Sequence, residues 1–177
     1  MFESNDSEAE DASDIPRGFV LSGYGTAFKD QLCRMLESTQ MFKRLQSKYV
    51  QILSDYCMAY DVEPGIIIMD EGKFDAHMFL LIKGKLEVSK KGENQNISTL
   101  ATILPGKTIG EMSLIDGQPH SASVTTLTQC TVILLSRGSL NRLARQHPRV
   151  ALEVVIKISQ IISNRLRQTS GKLVDLL

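Results

Sequence analysis

The chain has 177 residues, 42% of them hydrophobic, with 20 Lys+Arg balancing 20 Asp+Glu; this length suits one domain, and this apolar content excludes a disordered chain. No apolar run reaches the roughly 18 residues a bilayer-crossing helix needs, and the acidic start lacks the basic and apolar regions of a signal peptide, so the expected location is the cytoplasm, with no membrane partner. Cys33, Cys57 and Cys130 are odd in number and far apart, without the paired spacing of zinc or dithiol chemistry, so reduced core thiols are expected.

Residues 1–18 are expected to form a disordered acidic tail, carrying Glu3, Asp6, Glu8, Glu10, Asp11 and Asp14 with no Lys or Arg before Arg17. The balancing positive charge gathers at the other end, where Glu153 is the single acid between Arg137 and Lys172. Such segregation is ordinary for the solvated face of a long amphipathic helix and also suits an anionic partner.

Within residues 19–58, Phe28, Leu32, Met35 and Leu36 and then Leu45, Tyr49, Ile52, Leu53 and Tyr56 recur at three and four residue spacing, which predicts two short amphipathic helices. Residues 59–136 change texture to short β-rich runs, among them MFLLIK, KLEVSK, ISTLATIL, SVTTL and CTVILLS, punctuated by Gly, Pro and Asp. Six or more strands at this spacing predict a sandwich or barrel.

Residues 137–177 return to helix. Ser136 is predicted to cap a short helix ending at Gln146, and Pro148 to stand in the first turn of a longer one, where its missing N–H costs nothing. That last helix is predicted to run about 25 residues, or roughly 37 Å. Its stripe of Val155, Ile158, Ile162 and Leu166, widened by Val154 and Ile161, is expected to cover the β core and then meet another helix. Arg165, Thr169 and Lys172 interrupt the seam, so a homodimer is open but not required by the pattern.

Residues 104–124, LPGKTIGEMSLIDGQPHSASV, carry the most chemistry. A Pro-Gly turn leads to Gly110, where the backbone is free to take unusual dihedrals. Glu111 then opens a short helical turn before a polar loop ending in Pro119, His120 and Ser121. A helix opening on small residues leaves several N–H groups unpaired, and those donors together with the helix dipole favour a phosphate. An acid at the same turn repels that phosphate unless it faces a sugar hydroxyl, a division of labour common in nucleotide sites. His120, Ser121 and Ser123 offer further donors. The same residues also suit a surface loop with a capping Glu, which composition alone favours.

With those residues in view, the segment resembles the phosphate-binding cassette of the cyclic nucleotide-binding domain family, which includes catabolite-activator-like bacterial regulators and the regulatory subunits of cyclic-AMP-dependent kinase. The family pattern is Phe-Gly-Glu-Leu-Ala-Leu, a loop, and Pro-Arg-Ala/Ser-Ala-x-Val. Here it reads Ile109-Gly110-Glu111-Met112-Ser113-Leu114 and Pro119-His120-Ser121-Ala122-Ser123-Val124. Upstream, Pro64-Gly65, Ile68, Glu71-Gly72, Met78-Phe79, Ile82, Gly84 and Val88 fall where the family places its strand glycines and apolar positions. The likeness covers roughly residues 40–170.

It implies an α+β fold: an eight-stranded antiparallel β jelly roll with N-terminal helices and two C-terminal helices, the last one long and lying over the ligand pocket. It also implies a site opened by Gly110, with Glu111 holding the ribose 2′-hydroxyl. The N–H groups of Met112, Ser113 and Leu114 would face the cyclic phosphate, and Ser121 would add a donor. The implied ligand is a cyclic nucleotide, cyclic AMP or cyclic GMP.

His120 departs from the pattern. Family members that bind cyclic AMP or cyclic GMP usually have Arg there, whose fixed charge and planar fork pair with phosphate oxygens. Histidine is shorter, and with an ordinary pKa near 6.5 it is charged about a quarter of the time at pH 7. A bound phosphate favours the charged form, so binding is expected to be weakened and pH-dependent. Losing one charge-assisted hydrogen bond weakens affinity by about ten-fold to a hundred-fold.

His77 and His147 lack Cys or carboxylate partners at metal-building spacing, and the sequence holds no nucleophile elbow, Walker loop or dinucleotide fingerprint, so neither a metal nor enzymatic activity is expected. Transcription factors of the family follow the long helix with a winged helix-turn-helix that is not found here, so no DNA binding is expected. Two functions remain: a sensor that signals to a protein partner through the C-terminal helix or the acidic tail, or a ligand-free scaffold or adaptor. A sensor of another nucleotide, such as cyclic di-GMP, is a third.

Overall fold

The computed structural model describes residues 18–23, 25–92 and 96–174. The acidic tail expected over residues 1–18 lies, Gly18 apart, outside them. Strand β1 (Phe19–Leu21) is followed by helices α1 (Gly25–Glu37) and α2 (Ser47–Ser54). The β region holds β2 (Met58–Val62), β3 (Ile67–Met69), β4 (His77–Lys83), β5 (Leu86–Lys91), β6 (Ile97–Ile103) and β7 (Thr108–Ile109). A short helix α3 (Glu111–Asp116) precedes β8 (Ser123–Thr126) and β9 (Cys130–Ser136), and the chain closes with α4 (Arg137–Gln146) and α5 (Pro148–Val174).

The strands form two antiparallel sheets, β1-β2-β9-β4-β7 and β3-β8-β5-β6. The described residues thus hold nine strands where eight were expected, and one of them corrects the reading of residues 19–58 as helical. Phe19 pairs with Val62 and Leu21 with Tyr60, so the first three of those residues extend the larger sheet. A three-residue strand has too few positions to show alternation, and its partner rather than its own propensity decides its state.

Two cores flank the larger sheet. Between the sheets lie Tyr60, Val62, Phe79, Leu81, Leu86, Val132 and Leu134. On the outer side, Met78, Leu80, Ile133 and Leu135 pack against Leu36, Phe42, Leu53, Leu143, Val154 and Ile158 from the helices. Strands β4 and β9 are therefore buried on both faces, which is why MFLLIK and CTVILLS read as continuous apolar runs instead of alternating. Each such side chain removed from water contributes about 1.5–3 kcal/mol.

Helix α4 starts where expected, its Ser136 hydroxyl accepting from the Ser139 N–H at 3.0 Å. Pro148 opens α5, and the His147 carbonyl between the two helices accepts from Val150 and Ala151 at 2.9 and 3.0 Å. The apolar stripe of α5 buries Val154 and Ile158 and packs Val155, Ile161 and Ile162 at its margin. It stops there: Leu166 is 67% exposed, although the periodicity includes it. Among the described residues no helix is long and apolar enough to cross a membrane. The three cysteines are free, and burial, with Cys33 adding to it, pushes the Cys57 thiol up to about 12.

Candidate functional site

The site is built around the end of β7. Gly110 has φ of 77°, and a Cβ placed on it would overlap the Met69 methyl and the His77 carbonyl oxygen. Conformation and space both require glycine at this position. The tight approach sets α3 against β4 and carries Glu111 into the interior, where the residue is 2% exposed.

A carboxylate at that depth needs compensation. It comes from α5: the Arg165 guanidinium forms an ion pair with Glu111 Oε1 through Nη1 and donates to the Thr108 carbonyl through Nη2. The second oxygen, Glu111 Oε2, is buried with no hydrogen-bond partner. Glu111 is one of the residues that line a cavity of about 170 Å³.

Gly110, Glu111, Met112 and Ser113 line the cavity together with Pro119, His120, Ser121 and Ala122 of the following loop, the apolar Val88, Ile103 and Val124, and Arg165. That loop is tied to the turn over residues 70–75: the His120 N–H donates to the Lys73 carbonyl, and the Gly72 N–H to the His120 carbonyl, both at 2.9 Å.

The His120 ring is buried. Its Nδ1 lies 3.0 Å from the Ser113 hydroxyl, and the ring also hydrogen-bonds the Asp75 backbone. A carbonyl there takes the ring N–H, which leaves Nδ1 to accept from Ser113. Burial lowers the imidazole pKa below its ordinary value and His77 pulls the same way, against the opposing effects of the Asp75 charge and backbone bond. The neutral ring is favoured.

Of the residues singled out in the sequence, Gly110, Glu111, Met112, Ser113, His120 and Ser121 meet at this cavity. Leu114 does not: it is 1% exposed in the core, and its N–H is spent on the Gly110 carbonyl at 3.1 Å, as the geometry of the first helical turn dictates. Ser123 is also taken, its hydroxyl accepting from the Glu71 N–H at 3.1 Å. His77 is buried beside the site, while His147 is exposed with its ring edge-on to Tyr56 at 6.2 Å. Among the described residues no group of three or more His, Cys, Asp and Glu is placed to hold a metal.

Arg165 is the residue that sequence reasoning missed. It was read as an interruption of the α5 seam, and its signal was a lone cation just past Ile161 and Ile162 on a face that otherwise buries.

The chain is similar in sequence and fold to known proteins. Residues 61–147 match the family described as "Cyclic nucleotide-binding domain". A cyclic nucleotide-binding domain from Methylobacillus flagellatus superposes with a TM-score of 0.78 at 26% identity, covering 90% of each chain. The CRP-like cAMP-activated global transcriptional regulator of Mycobacterium tuberculosis is 22% identical over 143 residues, 81% of this chain. The cAMP-dependent protein kinase regulatory subunit of Yarrowia lipolytica is 34% identical over 91 residues, 51% of this chain. The matches span 62% of the regulator's length and 24% of the kinase subunit's. The chain carries, at residues 61–147, a domain of the cyclic nucleotide-binding domain family.

Proposed function

We propose that the chain is a non-enzymatic regulatory module that binds a cyclic nucleotide in the α3 cavity and passes the signal to a protein partner. The observation that carries this reading is the buried, unpartnered Oε2 of Glu111, a residue that lines the cavity. A ribose 2′-hydroxyl satisfies it, and removes the desolvation cost of an orphaned oxygen of about 1–3 kcal/mol. The first-turn N–H groups of Met112 and Ser113 and the hydroxyl of Ser121 then face the cyclic phosphate. His120 adds a donor to the phosphate only by exchanging its Ser113 contact, most readily in its charged form. Two of the relatives are named as cAMP-activated and cAMP-dependent, which supports cyclic AMP as the ligand.

A ligand at Glu111 meets Arg165 directly, so α5 is the natural output, with its exposed Leu166 as an apolar contact for the partner. The inward His120 ring favours the second reading, a scaffold that keeps the fold without the ligand.

Titration calorimetry with cyclic AMP, cyclic GMP and cyclic di-GMP at pH 6 and pH 8 separates these readings. Saturable binding, tighter at pH 6, is expected for a cyclic mononucleotide. Preference for cyclic di-GMP would change the ligand, and no heat at millimolar concentration of any of them would leave the scaffold.

A further inference from the structure

A second cavity of about 370 Å³ lies away from the cassette, between the N-terminal helices and α4. Its size falls in the range of about 300–1,000 Å³ typical of small-molecule sites. Its lining includes the apolar side chains of Leu21, Phe28, Leu32 and Met58. The lining also includes Arg142 of α4, whose guanidinium lies over the Tyr56 ring at 5.4 Å and donates to the Ser139 hydroxyl at 3.3 Å.

The two cations of the lining, Lys29 and Arg142, differ in kind. Lys29 at the cavity edge is already paired with Asp55, and that pair is half exposed and self-neutralising. Arg142 has no carboxylate partner among the described residues. Cation–π stacking on Tyr56 orients its fork without neutralising it. Among the described residues the cavity therefore combines one oriented cation that has no ion-pair partner with several apolar side chains.

We infer that this cavity is a binding site for a small amphipathic carboxylate, with the carboxylate on Arg142 and the hydrocarbon tail against Phe28, Leu32 and Met58. Charge complementarity selects the head, because a planar guanidinium pairs two-pronged with a carboxylate. The apolar lining selects the tail at about 0.8 kcal/mol per buried methylene. The occupant touches both α1 and α4, so it joins the N-terminal helices to the helix leading into α5. This site shares no lining residue with the cassette cavity, and the inference stands or falls apart from the cyclic-nucleotide reading.

Octanoate and octan-1-ol are the probes, titrated into the full chain by calorimetry, with methyl NMR shifts locating the site. Octanoate is expected to bind saturably, at least ten-fold tighter than octan-1-ol, and to shift the methyl signals of Leu32 and Met58. Saturating cyclic AMP should leave that affinity unchanged. Arg142→Gln should weaken octanoate by about ten-fold to a hundred-fold, the loss of one charge-assisted contact, while barely changing octan-1-ol. Equal affinity for the two probes on the unmodified chain, shifts confined to Met112 at the cassette, or no saturable binding would each overturn the inference without reliance on the variant's folding.

Discussion

Arg165 on the terminal helix is ion-paired with Glu111 at the start of α3, 54 residues earlier in the chain. The Glu111 side chain is 3% exposed and that of Arg165 41%. The acid is therefore committed to the interior, while the base reaches it from the rim. The pair ties α5 to the start of α3.

Arg165→Ala leaves a buried carboxylate uncompensated. Breaking a fully buried pair costs about 3–5 kcal/mol, and solvent at the half-exposed arginine reduces that to about 1–3 kcal/mol here. Chemical denaturation should show the loss, and Glu111→Gln in the same background should recover part of it, giving a non-additive double-mutant cycle. Additive effects would mean that the pair is not coupled.

Gly110→Ala combines a positive φ with overlap against Met69 and the His77 carbonyl. The expected destabilisation is about 2–4 kcal/mol, from a left-handed backbone and a crowded methyl. A destabilisation of less than a tenth of this, measured by chemical denaturation, would contradict the packing described.

The pH dependence of His120 has opposite signs with and without ligand. Its folded pKa is lowered, so around the unfolded value of about 6.5 the unfolded chain binds more protons, and stability rises with pH. This contribution is complete above the unfolded value and is lost as pH falls below it. His120→Asn should flatten the profile between pH 5 and pH 8. Cyclic-nucleotide binding should instead tighten at pH 6, because the phosphate favours the charged ring.

His120→Arg restores a permanent cation at the position the phosphate approaches. Affinity for cyclic AMP is expected to rise by about ten-fold to a hundred-fold and to lose most of its pH dependence. Calorimetry on this variant that shows neither change would place the ring, and any side chain replacing it, out of reach of the ligand.

Much of this fold was legible because it obeys local rules. The Ser136 cap, Pro148 at the start of α5 and the turns around the β-rich runs all follow from the chemistry of a few neighbouring residues. So did the cassette, where Gly110, Glu111 and the loop through Ser121 come together at one cavity. What escaped depends on distant partners. β1 becomes a strand because β2 lies beside it, and the Arg165 partner is 54 residues away. The His120 ring lies inward because Ser113 and the Asp75 backbone hold it. Leu114 shares the motif with its neighbours, but the helical turn directs it to the core and uses its N–H internally.

Strands β4 and β9 belong to both hydrophobic cores, with Phe79, Leu81, Val132 and Leu134 on one side and Met78, Leu80, Ile133 and Leu135 on the other. Opening either core exposes one face of these two strands to water and removes the support behind the other core. The helices and the β sandwich therefore have no separate melting points; they share a partition, and heating should dissolve both in a single cooperative step.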